Sequence, residues 1–276
     1  MLLTIAFFGA LEVGLSVQGW SALYEGDPGH SWRLKSSVDI EDVLHVEEGT
    51  QFPVKTSADG FRDGPIPREQ PWVLALGCST TFGWGLPAEQ AWPALLEASL
   101  GVPVFNAGVP GHSSEQGRRV ADQLLAHEPS VVILGWGLRD AQKTTIPDVH
   151  RRPPAFPRNT AVYAWLSQSL RSSGSVDGHT PRVSADRFLA NLNYVVGLAD
   201  DNSTKVLLLD MTGRSDTPSH STVLTQLDRP VVVPDLSSPL VFKQDPIHLN
   251  AAGNRMLAER LSPTVAALLE LEQGHE

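Results

Sequence analysis

Apolar residues along this chain fall into two patterns. Short unbroken runs at Trp72–Leu76, Val102–Phe105, Ser130–Trp136, Lys205–Asp210 and Arg229–Asp235 are bounded by glycine, proline or polar residues. Runs of that length predict strands buried on both faces. Pro230 and Pro234 put the last run at a sheet edge, where a missing N–H breaks no ladder bond. Between the runs, apolar residues recur at helical spacing. Ala88–Leu96 predicts a helix with Pro93 near its first turn, and Ser113 with Gln116 forms a capping box for a helix through Ala126. Phe188, Leu189, Leu192, Val195 and Val196 mark a helix over 186–198. Asn250 is an N-cap for a terminal helix lined by Met256, Leu257, Leu261, Val265, Leu268 and Leu269. Strand-helix alternation of this kind implies an α/β fold: a three-layer, doubly wound parallel sheet, flavodoxin-like.

Three segments depart from that alternation. Residues 1–20 are almost wholly apolar, with Thr4, Glu12 and Ser16 as the polar breaks before Val17. A spanning helix needs about 20 apolar residues, and no basic segment precedes this one. Two readings stand: a buried amphipathic helix, or a signal-anchor that associates with a membrane. Residues 21–69 carry turn signals at Gly26-Asp27-Pro28-Gly29 and Asp63-Gly64-Pro65 and predict an extension packed on the main domain, residues 70–276. Residues 144–183 form an insertion with a basic, proline-rich stretch from His150 to Arg158 and a flexible Ser172–Gly178. A substrate lid and a solvated insertion are both compatible with it. Arg151, Arg152 and Arg158 hint at an anionic substrate.

Charge and cysteine content narrow the chemistry. The formal net charge of −10 argues against nucleic acid or an anionic bilayer as the main partner. A single cysteine, Cys78, excludes an internal disulfide and any cysteine-based zinc cluster. The nine histidines show no ligand spacing, so neither metal nor cofactor is expected.

The chemistry resides at two distant places. Gly77-Cys78-Ser79-Thr80-Thr81 follows the first buried run, so Ser79 stands at the carboxyl end of a strand, where open α/β sheets bind ligands. Taken alone, Ser79 and Thr80 would simply cap a turn. Asp245-Pro246-Ile247-His248 alters that reading. His248 can take the proton of Ser79 as general base, and Asp245 can fix the tautomer of His248. A G-x-S-x-G elbow, the mark of the α/β-hydrolases, fails at Thr81.

Residues 70–276 resemble the SGNH (GDSL-type) hydrolases. Gly77–Gly83 is similar to the family's first motif, with Cys78 where Asp is common, and Asn106–Ser113 is similar to the second. Gly137-Leu138-Arg139-Asp140 occupies the place of the third, G-x-N-D, and Asp245–His248 matches the last. Val54–Arg62 is similar to the lead-in found before the first strand. The resemblance implies the SGNH hydrolase fold, Ser79, Asp245 and His248 as catalytic residues, and an oxyanion hole from the N–H groups of Gly111 and Ser79. Arg139 replaces the family's Asn donor. It could stabilise an oxyanion, bind an anionic substrate or pair with Asp140, or be a surface residue.

The function expected is a serine esterase acting on O-acetyl or short acyl esters of an acylated small molecule or glycan in the bacterial cell envelope. An O-acyltransferase of the same fold and a catalytically weak carbohydrate-binding protein are the alternatives.

Overall fold

The computed structural model describes residues 2–17, 23–27, 31–62, 64–69, 71–150, 160–162, 180–212, 218–234 and 239–273. Arg151, Arg152, Arg158 and Ser172–Gly178 lie outside the described residues.

The chain opens with helix α1 (Leu2–Val17), then two antiparallel hairpins. The first pairs β1 (Tyr24–Asp27) with β2 (Ser31–Leu34), the second β3 (Asp39–His45) with β4 (Thr50–Lys55). The α/β body then runs β5 (Val73–Gly77), α2 (Ser79–Phe82), α3 (Trp92–Leu100), β6 (Val104–Gly108), α4 (Ser114–Leu124), β7 (Val131–Gly135) and α5 (Gly137–Ala141). A short antiparallel pair, β8 (Lys143–Thr144) and β9 (Thr180–Pro181), closes the insertion. The body finishes with α6 (Ala185–Asp201), β10 (Lys205–Leu209), α7 (Pro218–Leu224), β11 (Val231–Val232) and α8 (Ala251–Gln273).

Five strands form one parallel sheet in the order β11-β10-β7-β5-β6. This is the doubly wound order expected, and the direction of winding switches between β5 and β7. Strand residues alternate between two cores. Val73, Ala75, Val131, Ile133, Leu207 and Leu209 pack with Trp92 and Leu96 of α3 and Leu257, Leu261 and Val265 of α8. Leu74, Leu76, Val132, Leu134, Val206 and Leu208 face the other way, onto Val120 and Leu124 of α4 and Phe188, Leu192 and Val195 of α6. Runs apolar on both faces therefore lie between two helical layers. Trp32, Leu34, Phe52 and Val54 of the hairpins join the second core.

Most boundaries fall within a few residues of the sequence reading, and three of the differences have a clear physical reason. The helix predicted over Ala88–Leu96 is α3 and starts at Trp92, with Pro93 in its opening turn, while Ala88–Gln90 is a single 3-10 turn. Proline lacks the N–H that an interior helical position must donate, so it sits where none is required. The second strand runs Val104–Gly108, because β5 offers partners as far as Gly77. The edge strand holds ladder register only at Val231 and Val232, flanked by its prolines.

Two predicted caps are formed. Ser113 N–H donates to Gln116 Oε1 at 2.9 Å while Ser113 Oγ accepts from Glu115 N at 3.3 Å. Asn250 Oδ1 accepts from Gly253 N at 3.1 Å at the head of α8. Among the described residues, no helix is long and apolar enough to cross a membrane. Instead α1 packs Leu15 on Ala161 and Val162, whose amides donate to the Glu12 carboxylate at 2.6 and 2.9 Å.

Candidate active site

Ser79 is the first residue of α2, directly past the carboxyl end of β5, and is only 3% exposed. The short helix can lie against β6 because Gly108 carries no side chain: a Cβ there would stand 2.3 Å from Phe82 N. Two adjoining strand ends thus fix the hydroxyl at the winding switch of the sheet.

The second component is a tight loop before α8. Phe242 N–H donates to His248 O, and Asn250 N–H to Leu240 O, both at 3.1 Å, which closes the loop on itself. Within it Asp245 Oδ1 accepts the Ile247 N–H at 3.0 Å. Its Oδ2 accepts from His248 Nδ1, and His248 Nε2 lies 2.8 Å from Ser79 Oγ. The three sequence-predicted residues therefore form one continuous hydrogen-bonded chain. Burial by itself would raise the Asp245 carboxyl. The hydrogen bond and charge of His248, then His45 and the Ile247 N–H, outweigh it and hold the group well below the ordinary carboxylate range. An ionised Asp245 only accepts, so the His248 proton sits on Nδ1 and the Nε2 lone pair faces the serine. That is the tautomer a general base requires.

A third loop contributes Gly111, which has φ +84°, a conformation glycine adopts without steric cost. Among the described residues, no acceptor engages the N–H of Gly111 or of Ser79. The carbonyl of Gly111 accepts from Arg182 Nη1 at 3.0 Å, and the rest of that buried guanidinium grips Asp148 at 3.1 and 2.5 Å. Asp140, the last residue of the third motif, is fully buried and accepts from both the N–H and the hydroxyl of Ser114. Burial pushes its carboxyl up to about 8, against the pull of the Ser114 bonds. Arg139 is half-buried and donates through Nη1 to Gln142 Oε1 at 2.5 Å, whereas Asp140 turns to Ser114.

The family profile of the GDSL-like lipases and acylhydrolases matches residues 75–256. The chain belongs to the GDSL-like lipase/acylhydrolase family. An arylesterase of Vibrio mimicus is 34% identical over 83 residues, which cover 28% of this chain and 42% of that one. The chain thus aligns with less than half the length of this curated relative. Among solved structures, TesA superposes with a TM-score of 0.50 at 21% identity, covering 71% of this chain and 99% of TesA. The psychrotrophic esterase EstA from Pseudoalteromonas sp. gives 0.50 at 16% identity over 73% of this chain and all of EstA, 100%. At such identities these likenesses establish the fold, the SGNH arrangement of a central parallel sheet between helices.

The matched span of this GDSL-family chain holds Ser79, Gly111, Arg139, Asp245 and His248, yet the site draws on residues that precede it. Arg62, buried, donates from Nη1 to Phe82 O at 2.6 Å and to Gly83 O at 3.0 Å, holding the end of α2. Trp32 Nε1–H donates to Pro110 O at 3.1 Å, beside Gly111. Glu48, on the β3–β4 turn, accepts the backbone N–H groups of Gln244 and, at 2.9 Å, Asp245. His45, fully buried at the end of β3, approaches Asp245 Oδ2 through Nε2 at 2.9 Å. Sequence reasoning assigned none of these four a role in the site. Arg62 stood in the motif-like lead-in, but His45 and Glu48 lie about 200 positions from their partners with no local signal.

Among the described residues, His45, Asp245 and His248 also bring metal-ligand atoms within 4.8 Å of one another. Chain spacing could not have revealed this set. Its nitrogen and oxygen atoms are already joined to one another by hydrogen bonds.

Proposed function

We propose that this protein is a serine esterase that hydrolyses carboxylic esters carrying an acetyl or other short acyl group. The observation that carries the reading is the unbroken hydrogen-bonded chain from Ser79 Oγ through His248 to Asp245. Ser79 Oγ attacks the ester carbonyl while its proton passes to His248 Nε2. Asp245 stabilises the imidazolium that results. The tetrahedral oxyanion accepts hydrogen bonds from the N–H groups of Ser79 and Gly111, neither engaged elsewhere among the described residues. Collapse expels the alcohol, which takes the proton from His248, and leaves the acyl group on Ser79. Water then attacks, giving its proton to His248, and the carboxylic acid departs as Ser79 recovers its own.

Burial of Ser79 at 3% exposure, with the His248 side chain at 12%, supports a small acyl group over a long chain. Arg139, held on α5 through Gln142, supplies a permanent positive charge where the family has Asn, which suits an oxyanion or an anionic alcohol. An O-acetyl ester on an envelope glycan is the substrate we put forward, by resemblance to SGNH esterases of the bacterial envelope. Association of α1 with a membrane surface is put forward on its apolar sequence and on Phe7 and Val13, exposed at 64% and 65%.

The test compares wild type with Ser79→Ala on p-nitrophenyl acetate, butyrate and octanoate, then on an O-acetylated polysaccharide with free acetate as the product measured. Acetate ester hydrolysed fastest, and lost in Ser79→Ala, supports the reading. Equal rates in the two proteins would overturn it, and acetyl moved to a sugar hydroxyl in preference to water would recast the enzyme as an acyltransferase.

A further inference from the structure

We propose that His45 is a positioning residue for the acid-base loop: its Nε2–H, donated from a hairpin outside the family-matched span, fixes the Asp245 carboxylate that orients His248. The inference rests on the esterase reading and adds to it a residue that the family motifs do not contain.

The geometry is specific. His45 ends β3 opposite Thr50, and its carbonyl accepts the Gly49 N–H at 2.8 Å, so the β3–β4 turn sets its place. Its Nε2 lies 2.9 Å from the same Asp245 oxygen that receives the His248 Nδ1–H. Because Asp245 is held ionised, both nitrogens facing Oδ2 carry hydrogen. The other nitrogen of His45, Nδ1, has no hydrogen-bond partner among the described residues. It is sealed by the backbone of Gly85, where a Cβ would stand 2.5 Å from it. The Phe242 ring, 4.7 Å away between centroids, packs edge-on against the imidazole. A neutral His45 protonated on Nε2 satisfies this enclosure, whereas an imidazolium would leave an N–H buried without an acceptor.

Two consequences follow for His248. Donors on both sides of Oδ2 stop the carboxylate from turning about its own axis, so the imidazole keeps its line to Ser79. The second donor also takes up part of the charge on Oδ2, which otherwise falls wholly on His248 and favours imidazolium. Among the described residues, the groups that face this pair are few. Glu47 Oε2 lies 3.9 Å from His45 Nε2 but is 57% exposed, and Glu48 accepts the backbone amides of Gln244 and Asp245. Ser79 faces His248 from α2, and Phe52, Phe242 and Gly85 contribute no charge. Glu48 and His45 thus act from the same turn, one on the loop backbone and one on the carboxylate.

The experiment uses the full chain with His45→Leu, which removes the donor, His45→Gln, which restores an N–H of similar reach, and Ser79→Ala as the reference for chemistry. Each is assayed on p-nitrophenyl acetate across pH, alongside thermal melting and NMR titration of the His248 ring. The expected result for His45→Leu is a fall in kcat of about 10- to 100-fold. KM should stay within about twofold of wild type, and the acidic limb of kcat/KM should move to higher pH. His45→Gln should recover most of kcat and the wild-type limb, and the His248 titration should move upward in His45→Leu. A folded His45→Leu with wild-type kcat and pH limb, or equal losses in the Leu and Gln variants, would overturn the proposal. If wild type and Ser79→Ala hydrolyse equally, the esterase reading fails. The His248 titration still decides this one, since an unmoved titration in His45→Leu sinks it. Should His45→Leu not fold, His45→Met serves in the same comparisons.

Discussion

Arg182 Nη1 donates to the carbonyl oxygen of Gly111 at 3.0 Å, so a buried ion pair behind the sheet end holds the turn that aims the Gly111 N–H. The side chains of Arg182 and Asp148 are 2% and 0% exposed, and Ser113 Oγ donates to the same carboxylate at 2.8 Å. A broken buried pair leaves a charge uncompensated. Arg182→Met is therefore expected to cost about 3–5 kcal/mol of stability, read from urea unfolding. Arg182→Lys keeps a positive charge but cannot reach Asp148 and Gly111 together. It should unfold at urea concentrations nearer wild type and lose activity mainly in kcat.

Asp245→Asn retains shape and removes charge. An amide presented to His248 Nδ1 reverses the tautomer, leaving Nε2 protonated toward Ser79. A drop in kcat on the order of 10³- to 10⁴-fold on an acetate ester, at unchanged KM, is the expected outcome.

Asp245 also sets the pH behaviour. Its folded-state pKa lies below the unfolded value of 3.8, so its contribution to stability is present above that value and is lost as pH falls below it. Above that value Asp245 stays ionised. The acidic limb of kcat/KM should therefore fall with a slope of one proton, without a contribution from Asp245; a slope of two would implicate a further group.

Asp140 behaves oppositely. Burial raises its carboxyl from 3.8 to about 8, so the protonated form belongs to the folded state. That contribution is complete below the unfolded value and disappears as pH climbs through the folded one. Asp140→Asn should flatten the fall in melting temperature between pH 5 and 9. In a chain of this size each kcal/mol of difference corresponds to about 2–4 °C. Parallel pH curves for the two proteins would show that Asp140 is charged in the fold.

Arg139 can be tested against Gly111. Gly111→Ala strains a residue at φ +84° and disturbs the proposed oxyanion donor, for which a kcat loss of about 100-fold or more is expected. Arg139→Ala should cost less than that on a neutral acetate ester and more on an ester of an anionic alcohol. Equal losses on both would place Arg139 at the oxyanion and not at the alcohol.

Local patterns along the chain were enough to predict the sheet, the two helical layers and three of the residues that meet at its rim. Runs such as Val73–Leu76 can be buried on both faces only in a covered parallel sheet, and the caps at Ser113 and Asn250 are local hydrogen-bonding patterns. Ser79, Asp245 and His248 were legible because each stands in a short motif. What surrounds them came from long-range packing. Strands β3 and β4 carry mixed polar and apolar residues that any surface hairpin could show, so nothing local marks His45 or Glu48. Arg182 sits just past a two-residue strand near the end of the insertion, and its partner Asp148 lies 34 positions away. Contacts across such distances depend on how whole elements pack, and packing is a property of the assembled fold that no local pattern encodes.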